Sequence, residues 1–287
     1  NQVISNDQNT DAIEAIVGGT HGDPFSVLGP HEMTRDKETG LVVRAYIPGT
    51  LDATVVTGTE EIRMQRTHAA GFFEAWAPGA KHPFSYRLKL RSDRNETYEI
   101  VDPYSFGSAL SDYDLHLLGE GTHYKNYERL GAHVFEINGC KGVLFAVWAP
   151  NADRVSVVGD FNHWDGRRHP MRKHPGAGIW EIFIPGLTEG ATYKFEIIGQ
   201  GGRLLPLKAD PYGFTFEVRP NTASIVYDIN QYQWNDQEWL ERRASEPSLE
   251  RPISVFEVHL GSWIRSPDDP EAPLGYRDLA VKLVDYV

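Results

Sequence analysis

The chain has 287 residues, long enough for two domains and part of a third. It is 40% hydrophobic and 24% charged, as globular proteins are, and 18 prolines and 27 glycines suit a turn-rich β architecture. A formal net charge of −12 argues against nucleic acid or an anionic membrane as partner and leaves a neutral ligand such as a sugar open. Cys140 stands alone, so no internal disulfide forms and a reducing compartment is expected. No apolar run approaches a membrane span, and the N-terminal NQVISNDQNT is polar rather than signal-like, so the expected location is cytoplasmic. Asn95-Glu96-Thr97 matches a glycosylation sequon, which in that compartment is chance.

In chain order, Ala12, Ile13, Ala15, Ile16 and Val17 predict a short helix over Thr10–Val17, closed by Gly18 and Gly19. HGDPFSVLGPH (21–31) is turn chemistry around Phe25, Val27 and Leu28. LVVRAYIPGTLDATVV (41–56) then predicts two strands broken at Pro48, because proline donates no ladder hydrogen bond. GFFEAWAPG (71–79) and YRLKL (86–90) are further strands of period two.

The same pattern returns about a hundred residues later. LVVRAYIPGTLDATVV lies over VLFAVWAPNADRVSVV (143–158) at an offset of 102. GFFEAWAPG lies over GIWEIFIPG (178–186), and YRLKL over YKFEI (193–197), at an offset of 107. VDPYSF, ending at Phe106, lies over ADPYGF, ending at Phe214, at 108. Matched elements in matched order imply two copies of one β-sandwich. The step of five falls where the second copy has GDFNHWDGRRHPMRKHPGAG, so the copies share a scaffold but not this loop, and loops carry function more often than strands.

Leu110–Gly131 shows no sustained period and reads as a packed connector. Gln231–Arg251 is polar, with Asp236 placed to cap a short helix through Arg243. ISVFEVHLGSW (253–263) reads as a buried strand. Tyr276, Leu279, Ala280, Leu283, Val284 and Val287 mark one face of an amphipathic helix. A lone strand–helix unit cannot form a sheet, so it reads as the opening of a truncated α/β domain. The expected division is 1–112, a first sandwich with its helix; 113–132, a connector; 133–228, a second sandwich; 229–251, a linker; and 252–287, the α/β start.

HGDPFSVLGPH (21–31), LGEGTHYKNYERLGAH (118–133), FAVWAPNADRVSVVGDFNHWDGRRHPM (145–171), GIWEIFIPG (178–186), KADPYGF (208–214), RPNTAS (219–224) and FEVHLGSW (256–263) together resemble the N-terminal part of the bacterial glycogen branching enzymes. The resemblance spans nearly the whole chain. It implies two tandem immunoglobulin-like (early-set) β-sandwiches, the second a carbohydrate-binding module of the glycogen-binding type, followed by the first βα unit of a TIM barrel. It implies an enzyme that breaks an α-1,4 glucosidic bond and rejoins the chain through an α-1,6 bond with retention. An Asp nucleophile, a Glu acid–base and a second Asp do this in the family. None of the three maps onto this sequence, so the expectation is a segment that positions α-glucan (glycogen, maltooligosaccharides) and is inactive alone. The alternatives are a stand-alone carbohydrate-binding module or another α-amylase-family enzyme.

Trp164 is the first ligand candidate, since the C–H face of a sugar packs on an exposed aromatic plane, and related glycogen-binding modules use the Trp of this loop. The alternative is that it closes the sandwich edge or packs on another domain. Lys194, alternating with Tyr193 and Phe195, matches a glycan-contacting lysine of the family or is an ordinary solvated one. Asn221 is placed for a polar contact. The segment QGGRLLP (200–206) has no aromatic where related modules carry a second Trp. Trp148, Trp180 and Phe183 read as core or inter-domain packing, and Glu257 and His259 as structural hydrogen-bonding groups. His163, His169 and His174 lack metal-ligand spacing, Gly199–Gly202 opens no helix, and no Gly-x-Ser-x-Gly elbow occurs. No cofactor and no metal are expected, and the protein is expected to act as a monomer.

Overall fold

The computed structural model describes residues 6–35, 37–58, 60–245 and 252–287. The chain divides into two units, one ending at Gln231 and the other beginning at Tyr232. The first unit is mainly β, built as four antiparallel sheets in two pairs.

The first copy contains β1 (Gly29–Arg35), β2 (Glu38–Tyr46), β3 (Thr50–Val56), β4 (Glu61–Arg63), β5 (Gln65–His68), β6 (Phe72–Pro78), β7 (Arg87–Ser92) and β8 (Thr97–Ile100). Its sheets run β1-β2-β6-β5 and β4-β3-β7-β8. Val43, Ala45 and Phe73 from one sheet meet Ala53, Val55, Leu88 and Leu90 from the other in a single buried core. The second copy contains β9 (Gly131–Ile137), β10 (Cys140–Trp148), β11 (Ala152–Gly159), β12 (Arg172–His174), β13 (Ile179–Pro185), β14 (Thr192–Gly199), β15 (Arg203–Leu204), β16 (Thr215–Phe216) and β17 (Ser224–Ile225). Its sheets run β12-β13-β10-β9 and β11-β14-β17-β16, with β15 on β14. Val143, Phe145, Val147, Trp180 and Ile182 pack there against Val155, Val157, Tyr193 and Phe195.

The repeat holds at the level of register. Val43 pairs with Ala75 and Phe145 with Ile182; Val55 pairs with Leu88 and Val157 with Phe195. Each of these pairs reproduces the sequence offsets of 102 and 107. Both copies bulge at the same place, between Thr50 and Asp52 and between Ala152 and Arg154. A bulge adds one residue to one strand and twists it, so its recurrence is a shared feature of the scaffold. Tyr86 donates to Asp102 at 2.5 Å and Tyr193 to Asp210 at 2.7 Å, while the same carboxylates accept from the Tyr104 and Tyr212 amides. Burial pushes the Asp102 carboxyl up to about 6 and raises Asp210 as well. Gly29 and Gly131, both left-handed, let the chain pass the Tyr104 and Tyr212 carbonyls, which any Cβ would strike.

The copies share more than a linker. Val27, Leu28, Tyr46, Phe72 and Tyr104 of the first copy join the second copy's core, with Ile16 from α1 (Asn6–Val17). Tyr104 donates to the Pro170 carbonyl at 3.1 Å and Arg168 to that of Pro48 at 2.8 Å. The expected N-terminal helix is therefore present, starts earlier than predicted, and ends where Gly18 and Gly19 donate back to Glu14 and Ile16.

The stretch read as an aperiodic connector contains α2 (Asp112–Glu120). Ser111 and Asp114 form a capping box at its start, and Gly121 closes it in the left-handed region. Leu115 and Leu118 are only half-buried against Leu130, Ala146 and Ile179, so the helix shows a weak apolar stripe. The cap motif Ser-Asp-Tyr-Asp was the signal available.

In the second unit, α3 (Gln237–Ser245) begins just after Asp236, whose carbonyl accepts the Leu240 amide at 3.0 Å. Residues 246–251 of the expected linker lie outside the described ones. The buried strand expected over 253–263 is absent: residues 252–259 join no ladder, and α4 (Leu260–Trp263) follows. Ile253 and Val255 are 81% and 85% exposed. A strand exists through hydrogen bonds to a neighbour, and among the described residues this segment has no neighbouring strand. A helix satisfies its own backbone, and the expected helix forms as α5 (Tyr276–Tyr286). Phe256, Trp263 and Tyr286 cluster with ring centroids 4.9–6.2 Å apart. Among the described residues no helix is long and apolar enough to cross a membrane.

Candidate functional site

The site is built on β11, β14 and the loop leaving β11. Val155 and Val157 anchor β11 in the core. At its end Gly159 lies so close to Phe161 and the Thr192 carbonyl that no side chain fits, and the chain turns sharply. A 3₁₀ turn over Asp160–Asn162 follows. His163 and Trp164 then both adopt left-handed backbone, φ 58° and 59°. That conformation costs an L-residue about 1–2 kcal/mol, so two in succession need strong local support.

Asn162 supplies that support. Buried in the loop, it accepts from the Gly159 amide at 3.0 Å and donates to the Val157 carbonyl at 2.8 Å and to His169 Nδ1 at 2.9 Å. Burial, with Arg168 beside it, pushes the His169 imidazole down to about 4, which keeps the ring neutral and Nδ1 an acceptor. Phe161 lies against Phe145 and His169, at 6.4 and 5.8 Å between centroids. The returning strand is pinned by Met171 and Val157, which exchange backbone bonds with Val155 and His169. Farther along the loop, Arg154 donates to the Gly166 carbonyl at 3.0 Å and pairs with Glu196, against which Gly166 packs too closely for a Cβ.

Trp164 is thereby presented and oriented. Its amide donates to the Gly159 carbonyl at 3.0 Å and its indole N–H to Asp160 at 2.8 Å. Hydrogen bonds from Trp164 and Thr192 hold the Asp160 carboxyl below its ordinary range, so it is ionised and a strong acceptor. The half-buried Trp164 belongs to none of the apolar clusters, so it does not serve as core.

The other two sequence candidates lie nearby. Thr192, which donates to Asp160 at 3.0 Å, and Lys194 are period-two neighbours on one face of β14, opposite the buried Tyr193 and Phe195. Lys194 donates to Thr222 at 2.6 Å, and the next residue, Asn221, is exposed and donates to Glu217 at 3.3 Å. The structure thus links Trp164, Asp160 and Thr192, and beside them Lys194 and Thr222, with Asn221 at the rim. Sequence reasoning missed Asp160, Thr192 and Thr222; the Asp four residues before the Trp was the readable signal. Arg203 and Leu204, where related modules carry a second Trp, form the short β15 paired with β14, and no aromatic stands there.

One further reading, of Trp148 as core, comes out differently. Trp180 and Phe183 are buried as expected, but Trp148, at the end of β10, is 60% exposed, so it is not a core residue. It is the last residue of its strand, paired with Ile179. His259 makes a structural contact as expected, with Ser262 Oγ at 2.7 Å from its Nδ1.

Among the described residues the first copy offers no counterpart to this site. Where β11 runs into the loop, only four residues separate β3 from β4 in sequence, and Thr57 donates to the Glu60 carbonyl at 2.9 Å. No aromatic occurs among those four.

Residues 9–104 match the family described as the alpha-1,4-glucan branching enzyme GlgB N-terminal domain. Residues 129–213 match carbohydrate-binding module 48, the isoamylase N-terminal domain. The chain is 50% identical over 274 residues to the 1,4-alpha-glucan branching enzyme GlgB of Paramagnetospirillum magneticum, covering 96% of this chain and 36% of that protein. It is 51% identical over 280 residues to that of Rubrobacter xylanophilus, covering 96% and 37%. The chain therefore spans little more than a third of the length of these relatives. A pullulanase structure from Anoxybacillus sp. LM18-11 is 15% identical, covers 70% of this chain and 28% of its own, and has a TM-score of 0.30, too low to carry an argument.

Proposed function

We propose a function for a chain that belongs, as an N-terminal portion, to the 1,4-α-glucan branching enzymes. It binds and positions α-glucan for a reaction carried out elsewhere in the full-length protein. That reaction cleaves an α-1,4 bond and transfers the freed chain to a 6-hydroxyl, making an α-1,6 branch. The two copies are read as immunoglobulin-like sandwiches, 1–112 and 133–228, joined by 113–132. Residues 252–287 are read as the first βα unit of a (β/α)₈ barrel, following the linker 229–251. The exposed apolar residues of 253–256 support that reading, because a barrel strand is buried on both faces by its neighbours.

One observation carries the binding reading: the five extra residues of the second copy build a braced loop that presents an indole held by an ionised carboxylate. A tryptophan plane receives the C–H face of a pyranose, while Lys194 and Asn221 offer donors to ring hydroxyls. A rigid platform loses little entropy on binding, which suits a weak, repetitive polymer ligand.

Affinity electrophoresis in glycogen gels tests this. The parent chain should be retarded, and Trp164→Ala should lose about tenfold or more in affinity, as truncation of a central aromatic anchor does. Lys194→Met should lose a few-fold, in keeping with one exposed hydrogen bond of about 1 kcal/mol. Unchanged retardation of Trp164→Ala would make Trp164 a structural residue.

A further inference from the structure

A cleft of about 700 Å³ opens between the two copies, within the range of roughly 300–1,000 Å³ typical of small-molecule sites. Its walls come from the β7–β8 hairpin and the Pro48 turn of the first copy, and from residues 161–163, 168–169 and 184–187 of the second. His163 lines it, one residue from Trp164.

Four polar side chains lining this cleft are uncommitted, while Asp102, Asn162 and His169 in its wall are hydrogen-bonded within the protein. Asp93, Arg94, Glu96 and His163 make no side-chain hydrogen bond or ion pair among the described residues. Arg168 spends one amino group on the Pro48 carbonyl, and its Nε is buried with no partner. Tyr98, 41% exposed on β8, supplies an aromatic face beside the apolar Ile184 and Leu187. By contrast, Asp160 and Lys194 at the loop site are already hydrogen-bonded within the protein.

The mixture selects a ligand class. The Asp93 and Glu96 carboxylates repel an anion, and the Arg94 and Arg168 guanidinium groups disfavour a cation. A hydroxyl both donates and accepts, so a polyol satisfies both signs at once, and its C–H face packs on a tyrosine ring. We infer that this cleft between the copies is a second subsite for a neutral α-glucan oligosaccharide, centred on Tyr98 and Arg94 and distinct from the Trp164 platform. The choice of α-glucan rests on the function proposed above.

Backbone NMR of the intact chain titrated with maltoheptaose tests the inference. Two separate groups of amides should shift, one over residues 160–166 and one over 92–98 with 186–187. Tyr98→Ala should weaken the second group's response about tenfold and leave the first unchanged. Arg94→Ala, in an exposed turn, should also weaken only the second and guards against a folding defect at Tyr98. Trp164→Ala should abolish only the first. An unperturbed second group in the parent chain, with the first responding, overturns the cleft subsite and leaves the Trp164 reading standing. A second group that responds while the first does not overturns the Trp164 reading instead. Silence from both removes both.

Discussion

The two sandwiches use one scaffold and differ in one loop. Strand registers, the bulge in the strand pairing, and the Tyr–Asp contact under the following turn all recur from copy to copy. Those features depend on close packing and on glycines that permit backbone to approach backbone, so drift in them is costly. The loop after β3 or β11 is where the two copies part, and in the second copy it has its own close glycine contacts at Gly159 and Gly166. In the first copy four residues separate β3 from β4; in the second the loop is five residues longer and becomes a braced platform. Under the function proposed above, one copy carries the binding surface while the other stays plain and packs against it.

The comparison breaks most visibly if the loop is exchanged. Replacing residues 159–167 with Thr57–Glu60 should reduce glycogen retardation to background while the chain stays folded, read by affinity electrophoresis with circular dichroism alongside. Retained binding would move the site away from this loop. A smaller and symmetric effect is expected at the recurring Tyr–Asp pair. Tyr86→Phe and Tyr193→Phe each leave a buried carboxylate short of one donor, and each should cost about 1–3 kcal/mol in urea unfolding. Very unequal losses would mean that the copies are alike in shape but not in energetics.

The subtlest difference is in acid. The first copy has Ile62 where the second has His169. The His169 ring is held neutral, at about 4 against its ordinary 6.5. Between those values the unfolded chain takes a proton that the folded ring excludes, so its contribution to stability declines as pH falls from 6.5 toward 4. Asp102 and Asp210 act in the opposite sense, since their raised carboxyls favour folding below pH 3.8, a contribution lost for Asp102 as pH rises through about 6. Because both copies have such a carboxyl, its effect largely cancels in the comparison. Amides around Trp164 should therefore lose hydrogen-exchange protection on acidification before those around Thr57–Glu60.

Much of this was readable before any coordinates. Period-two runs closed by Pro48, Pro150 and the glycines made the strands plain, and the jump in offset located the inserted loop. What escaped reading depended on contacts distant in sequence. Trp148 ends an apolar strand and reads as core or inter-domain packing; its exposure removes the core reading and leaves the other. The helix at Asp112–Glu120 hides its apolar stripe because it packs through only two leucines. The segment over 253–259 has strand composition, but composition cannot provide the partner that a ladder requires. Lys194 and Trp164 were each visible alone; their connection through Asp160 and Thr192 follows from the pairing of Gly159 with Tyr193.

The central claim is that the loop unique to the second copy is where glucan sits. A crystal structure of this chain soaked with maltoheptaose tests it directly. The account predicts a glucosyl ring stacked on the Trp164 indole, with hydroxyls toward Lys194 and Asn221. Sugar bound elsewhere, with the Trp164 face bare, would contradict it.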